Sequence, residues 1–88
     1  MTPYCLEPYN EHMGNLKAKL RIKNHLHVLR AEKRMSQQDL ADAIGVTRAT
    51  VNSMERGNYN PSLDLAFRVS LFFNKDLQDI FFVEGDNE

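Results

Sequence analysis

The chain has 88 residues, 42% hydrophobic and 26% charged, with a formal net charge of −1. That leaves room for one small core; the balance argues against wholesale disorder, and no apolar run approaches the ~20 residues of a membrane helix. The single cysteine, Cys5, allows no internal disulfide, and no metal-ligand spacing or phosphate loop is present, so a cytoplasmic binding module without cofactor is expected rather than an enzyme.

Residues 1–19 lack a clean period, because Pro3, Pro8, Asn10 and Gly14 interrupt any longer helix, and they read as an N-terminal arm. The opening residues have neither a basic start nor an apolar core, so no secretory signal is expected. Leu20-Arg21-Ile22-Lys23 alternates apolar and basic residues, a short strand signal. Asn24 is placed to cap a first helix running to about Arg34, with Leu26 and Leu29 facing inward beside Val28. His25 and His27 lie two apart, which on a helix is about 200° around, so they cannot share a metal. Ser36 followed by Asp39 resembles a capping box, and the helix it starts, about Gln37–Ile44, sets Leu40, Ala41 and Ile44 on one face. Gly45 ends that helix, Thr47 caps a third helix from Arg48 to about Arg56, and Gly57 ends it. After the loop Asn58-Tyr59-Asn60-Pro61, Ser62 caps a fourth helix to about Phe73, and Asp76 starts a fifth near Leu77–Ile80. Ile80–Val83 suits a strand, and residues 85–88 form an acidic tail beyond a domain spanning 20–84.

Charge is polarised along the chain. Lys17, Lys19, Arg21, Lys23, Arg30, Lys33 and Arg34 face one acid, Glu32, in their segment, whereas after Gly57 six acids stand against two bases. Local field therefore outweighs net charge. On the third helix, Val51 and Met54 point to the core, while Arg48, Ala49, Asn52, Ser53 and Arg56 share the opposite face. Two arginines, an amide, a hydroxyl and a methyl, with no acid, can meet base edges and phosphates. Glu55, at the edge of the buried side, needs a cationic partner.

The stretch S-Q-Q-D-L-A-D-A-I-G-V-T-R-A-T-V-N-S-M-E-R-G, Ser36 to Gly57, with N-Y-N-P-S-L and D-I-F after it, resembles the Cro/C1-type helix-turn-helix of the Xre family. The likeness runs from about Ile22 to Val83, and the length and the D-L-Q-D-I-F run resemble stand-alone dimeric regulators of the cytolysin-repressor type. The resemblance implies an all-α, five-helix, lambda-repressor-like fold with a small terminal strand pair. It implies that Arg48, Ala49, Asn52 and Ser53 face the groove of double-stranded DNA. Gln37 and Thr47 match phosphate-contacting positions, Arg56, Asn58 and Tyr59 fall where the following loop meets backbone, and Arg30 and Glu55 match a structural ion pair.

The motif itself carries Arg48 and Arg56 against Asp39, Asp42 and Glu55, so phosphate neutralisation is expected from Lys17, Lys19 and Lys23. On the fourth helix, Leu65, Ala66, Val69, Phe72 and Phe73 suffice for a core stripe. Leu63, Phe67 and Leu71 form a second stripe that, with Phe81 and Phe82, suits a homodimer interface. The reading is a DNA-binding regulator, a repressor acting as a homodimer on a near-palindrome. An antitoxin whose arm binds a toxin, and a helix-turn-helix serving protein contacts alone, stay open beside it.

Overall fold

In a computed structural model, the structure describes residues 19–84. The arm up to residue 18, with Cys5 and Lys17, and the tail 85–88 lie outside the described residues. The order is β1 (Ile22–Asn24), α1 (Leu26–Glu32), α2 (Gln37–Ile44), α3 (Arg48–Glu55), α4 (Leu63–Phe73), α5 (Leu77–Ile80) and β2 (Phe81–Val83). Five short helices surround one core. The two strands close an antiparallel ribbon in the register Ile22↔Val83, Lys23↔Phe82 and Asn24↔Phe81.

Local chemistry sets most helix starts. The Ser36 hydroxyl accepts the Asp39 N–H and the Asp39 carboxylate accepts the Ser36 N–H, both at 3.0 Å, a complete capping box. Thr47 and Ser62, both in extended conformation, accept the N–H of Thr50 and Leu65 at 3.1 Å and start α3 and α4. Gly45 stops α2 at φ 79°, where its N–H reaches the Ala41 carbonyl at 2.9 Å. A side chain there would be strained by the left-handed backbone.

The start and end of α1 differ from the sequence reading. Asn24 is not the cap; ribbon pairing with Phe81 holds it in β1 and His25 takes the cap position. The Asn24 carboxamide still works at the helix start, accepting the Leu26 N–H at 3.1 Å while donating to the Met54 carbonyl at 2.7 Å. The helix ends at Glu32 rather than Arg34, because Arg34 turns left-handed (φ 57°) and the Met35 N–H folds back onto the Arg30 carbonyl at 2.9 Å. Ile80 belongs to α5 rather than to the second strand, and its carbonyl accepts the His25 N–H at 2.9 Å.

Leu26, Leu40, Val51, Met54, Val69 and Ile80 are fully enclosed, and Leu29, Ala41, Ile44, Leu65 and Phe73 complete the core. Ala41 is buried without residue, which lets α2 and α3 approach closely. Two α4 residues expected in the core are not there: Ala66 is half-buried and Phe72 is exposed. Core volume is already filled by Leu65, Val69 and Phe73, and Phe72 instead sets its ring edgewise to Phe73 at 5.0 Å with the Lys33 ammonium 5.9 Å from its centre. No helix among the described residues is long and apolar enough to cross a membrane.

Gly57 ends α3 with φ 76° and is buried against the Lys23 stem, which an added Cβ would meet at 3.0 Å. Gly57→Ala is therefore expected to cost about 1–2 kcal/mol through the left-handed backbone. Urea unfolding should show a lowered midpoint with an unchanged slope.

Candidate nucleic-acid interface

The capped ends of α2 and α3 leave a three-residue connection, Gly45–Thr47, across which the two helices pack through Leu40, Ala41, Val51 and Met54. This orientation turns one face of α3 outward. Arg48, Ala49 and Asn52 are exposed there, Ser53 is half-buried, and Arg56 is exposed at the end of the helix. The chain then doubles back: the Gly57 N–H reaches the Met54 carbonyl at 3.0 Å and the Asn58 N–H the Ser53 carbonyl at 2.9 Å, leaving Asn58 and Tyr59 exposed beside the helix end. The Thr47 hydroxyl is exposed but engaged, capping Thr50 and meeting its hydroxyl at 3.0 Å.

Behind this face lies a polar network. Arg30 donates from Nε to Glu55 Oε2 at 2.6 Å and from Nη2 to Oε1 at 3.1 Å, a two-pronged contact. Its Nη1 donates to the Met35 carbonyl at 2.8 Å. Only 18% of the Arg30 side chain and 9% of the Glu55 side chain remain exposed. Gln37 extends the network, donating from Nε2 to Glu55 Oε1 at 3.1 Å and to Asn52 Oδ1 at 3.3 Å. Burial pushes the Glu55 carboxyl up, but hydrogen bonds from Arg30 and Gln37, with the charges of Arg30 and His27, outweigh it and hold the group below its ordinary value. The Glu55 hydrogen bond raises the Arg30 pKa against the opposing effect of burial.

Sequence reasoning assigned Gln37 both a phosphate contact and a bracing role. In the structure its two amide hydrogens serve α3, so only the main-chain N–H at the first position of α2 is left to meet an anion. Two anchors were missed altogether, and a third was credited with a local cap alone. Asn60 uses its carboxamide like a strand edge, donating to the Leu20 carbonyl at 2.9 Å and accepting the Ile22 N–H at 3.3 Å. This draws Lys19 and Lys23 to the loop after α3; Arg21 adds a bond to the Gly57 carbonyl at 3.2 Å and a 3.4 Å ion pair with Glu84. Lys19, Leu20, Arg21, Gly57, Asn58 and Asn60 line an open groove at the end of α3. Arg68, held by Asp64 at 2.6 Å, donates to the Ile44 carbonyl at 2.6 Å and closes the last turn of α2. The third is the Asn24 carboxamide, which ties the ribbon to α3. An asparagine in a loop signals a local turn; nothing near it in sequence points 38 or 40 positions back.

A second surface lies on α4, where Leu63, Phe67 and Leu71 are 70%, 49% and 78% exposed. Phe81 and Phe82, grouped with them on sequence grounds, are half-buried: Phe81 packs on the core and Phe82 stacks on His25 at 4.8 Å.

Comparison with known proteins agrees with this geometry. Residues 26–80 match the family model described as helix-turn-helix. The chain is 45% identical over 65 residues to an uncharacterised HTH-type transcriptional regulator of Methanocaldococcus jannaschii, covering 74% of this chain and 98% of that protein. It is 41% identical over 66 residues to the HTH-type transcriptional regulator YgzD of Bacillus subtilis, covering 75% and 100%. Among solved structures, the transcriptional regulator VanUg aligns with a TM-score of 0.64 at 27% identity, covering 78% of this chain and 93% of that one.

A carboxyl whose folded pKa is depressed contributes stability that is complete above its unfolded value, ~4.3, and is lost as pH falls through the folded value. Melting temperature should accordingly fall more steeply between about pH 5 and pH 3 in the wild type than in Glu55→Gln. At neutral pH, Glu55→Ala should cost about 3 kcal/mol by leaving Arg30 buried and unpaired, as urea unfolding would register.

Proposed function

Because this chain belongs to the helix-turn-helix family, in its Cro/C1-type Xre branch, we propose that it is a sequence-specific regulator that reads double-stranded DNA as a homodimer. The observation that carries this reading is the outward face of α3, where Arg48, Ala49 and Asn52 stand exposed on a helix braced from behind. Such a helix enters the major groove with its first residues at the base edges. Arg48 opens it, and its planar fork suits the O6 and N7 acceptors of guanine. Ala49 offers a methyl to thymine, and Asn52 and Ser53 follow one turn on. Thr47, the main-chain N–H of Gln37, Arg56, Asn58 and Tyr59 border this face and suit phosphate contacts. Lys19 and Lys23, drawn to the same end by Asn60, supply positive charge the motif lacks, and Lys17 precedes Lys19 by two residues in the sequence.

Eight residues of α3 span too few base pairs to discriminate well alone. A symmetric pair of reading helices about 34 Å apart engages successive turns of a near-palindrome. The apolar stripe of Leu63, Phe67 and Leu71 is the surface suited to that pairing. Occupying an operator is the simplest action of such a dimer, which favours a cytoplasmic repressor over an activator.

Selection of bound sequences from a random pool tests the reading. Wild type should enrich a motif with two related half-sites, and Arg48→Ala should lose about 1–3 kcal/mol and relax one base pair per half-site. A pool that stays random would leave the domain to protein contacts alone. Phe67→Glu should turn a dimer into a monomer in sedimentation; a dimer that persists would assign the interface to another surface.

A further inference from the structure

The extended chain of β1 begins before its paired residues. The Leu20 carbonyl and the Ile22 N–H both turn to Asn60, whereas the Arg21 carbonyl turns the other way and accepts the Glu84 N–H at 2.9 Å. Such alternation is that of a strand, in which side chains two apart share a face. It places Lys19, Arg21 and Lys23 in one row, about 7 Å between neighbours. The row faces the end of α3: a Cβ on Gly57 would meet the Lys23 stem at 3.0 Å, and Arg21 Nη2 donates to the Gly57 carbonyl at 3.2 Å. One residue beyond the pair Ile22↔Val83, the ribbon register sets Glu84 opposite Arg21 on that same face. The Glu84 carboxylate lies 3.4 Å from Arg21 Nε, and both side chains are at least half exposed.

We propose, on the basis of the DNA-reading function above, that this row is a site for a backbone phosphate beside the reading helix, with Arg21 at its centre and Glu84 as an internal stand-in that the phosphate displaces. An ion pair this exposed contributes little, so it yields readily. A phosphate offers the guanidinium short, charge-assisted bonds in two prongs, and Lys19 and Lys23 flank it as point charges. The Gly57 carbonyl keeps Arg21 at the end of α3 when Glu84 lets go. Once displaced, Glu84 repels the phosphate that replaced it. The carboxylate therefore lowers affinity for every duplex alike, and more of the binding rests on the base contacts of α3.

The affinity of the full-length chain for a duplex selected from a random pool, followed against salt, tests this. Arg21→Gln should flatten the slope of log K against log salt by about 0.9 per protomer. Glu84→Gln should tighten binding about two- to five-fold at low salt, the strength of one exposed ion pair, and steepen the slope. Asp79→Asn removes the same charge beside Asn74 and Asp76 in a separate groove, and should leave affinity and slope as in wild type. In the Arg21→Gln background, Glu84→Gln should have less than half its effect. The proposal is overturned if Glu84→Gln does not tighten binding, if Asp79→Asn tightens it as much, or if Glu84→Gln acts equally with and without Arg21. An unchanged slope in Arg21→Gln overturns it as well. The Glu84→Gln and Asp79→Asn arms keep Arg21, and so decide the question even if Arg21→Gln fails to fold. A chain that enriches a motif but fails these arms loses the phosphate site alone; one that binds no duplex loses the DNA-reading function with it.

Discussion

The contact between Arg30 and Glu55 is the constraint on which the rest of the molecule turns. Four segments meet at it: α1 supplies the guanidinium, the turn before α2 supplies the Met35 carbonyl, α2 supplies Gln37 and α3 supplies the carboxylate. An eight-residue helix has little stability of its own, so the direction of α3 comes from what it is fastened to. Apolar packing holds α3 against the core but tolerates sliding. A two-pronged arginine–carboxylate contact does not, because its bonds require coplanar groups. Desolvating two charges is costly, and replacing such a pair by apolar side chains often stabilises a protein. What the pair supplies here is a fixed orientation for the surface carried by Arg48 and Asn52.

Much of the fold was legible because its boundaries are written in local chemistry. Ser36, Thr47 and Ser62 cap helices with their own hydroxyls, and Gly45 and Gly57 adopt the left-handed backbone that ends them. Such contacts join residues three or four apart, within the reach of sequence reasoning. The ends of α1 were misplaced because they depend on distant partners, Asn24 on Phe81 and Met54, while Arg34 leaves the helix without a glycine to announce it. The face of α3 could be read from its period, since Val51 and Met54 fix which side is inward. On α4 the period was ambiguous. Five apolar residues offered themselves to a core that takes three, and sequence alone does not rank Phe72 against Phe73.

The distribution of charge has a structural counterpart. The helix-turn-helix segment holds three acids and two bases, yet the molecule presents a basic margin beside it. That margin comes from residues 19–23, at and just before β1 and remote in sequence, and it reaches the end of α3 because Asn60 and Gly57 grip the main chain and the Arg21 side chain. The long-range electrostatics of the domain therefore rest on neutral hydrogen bonds. Salt weakens the attraction of the lysines for polyanions without loosening the grip that positions them.

The ribbon also constrains how the chain reaches this state. Its register joins Ile22 to Val83, so closing it requires the ends of the domain to meet across every intervening helix. Helices α2 and α3 are neighbours in the chain and can pair early, whereas a contact between remote residues bears the larger loop-closure entropy. Within the domain, α5 and β2 leave a ribosome after the other elements. Until Ile80 of α5 is also present, the amide of His25 has no Ile80 carbonyl to meet and the core lacks one of its fully enclosed side chains. A nascent chain thus carries α3 complete but unfinished in its support, and the last elements of the domain complete its folding cooperativity.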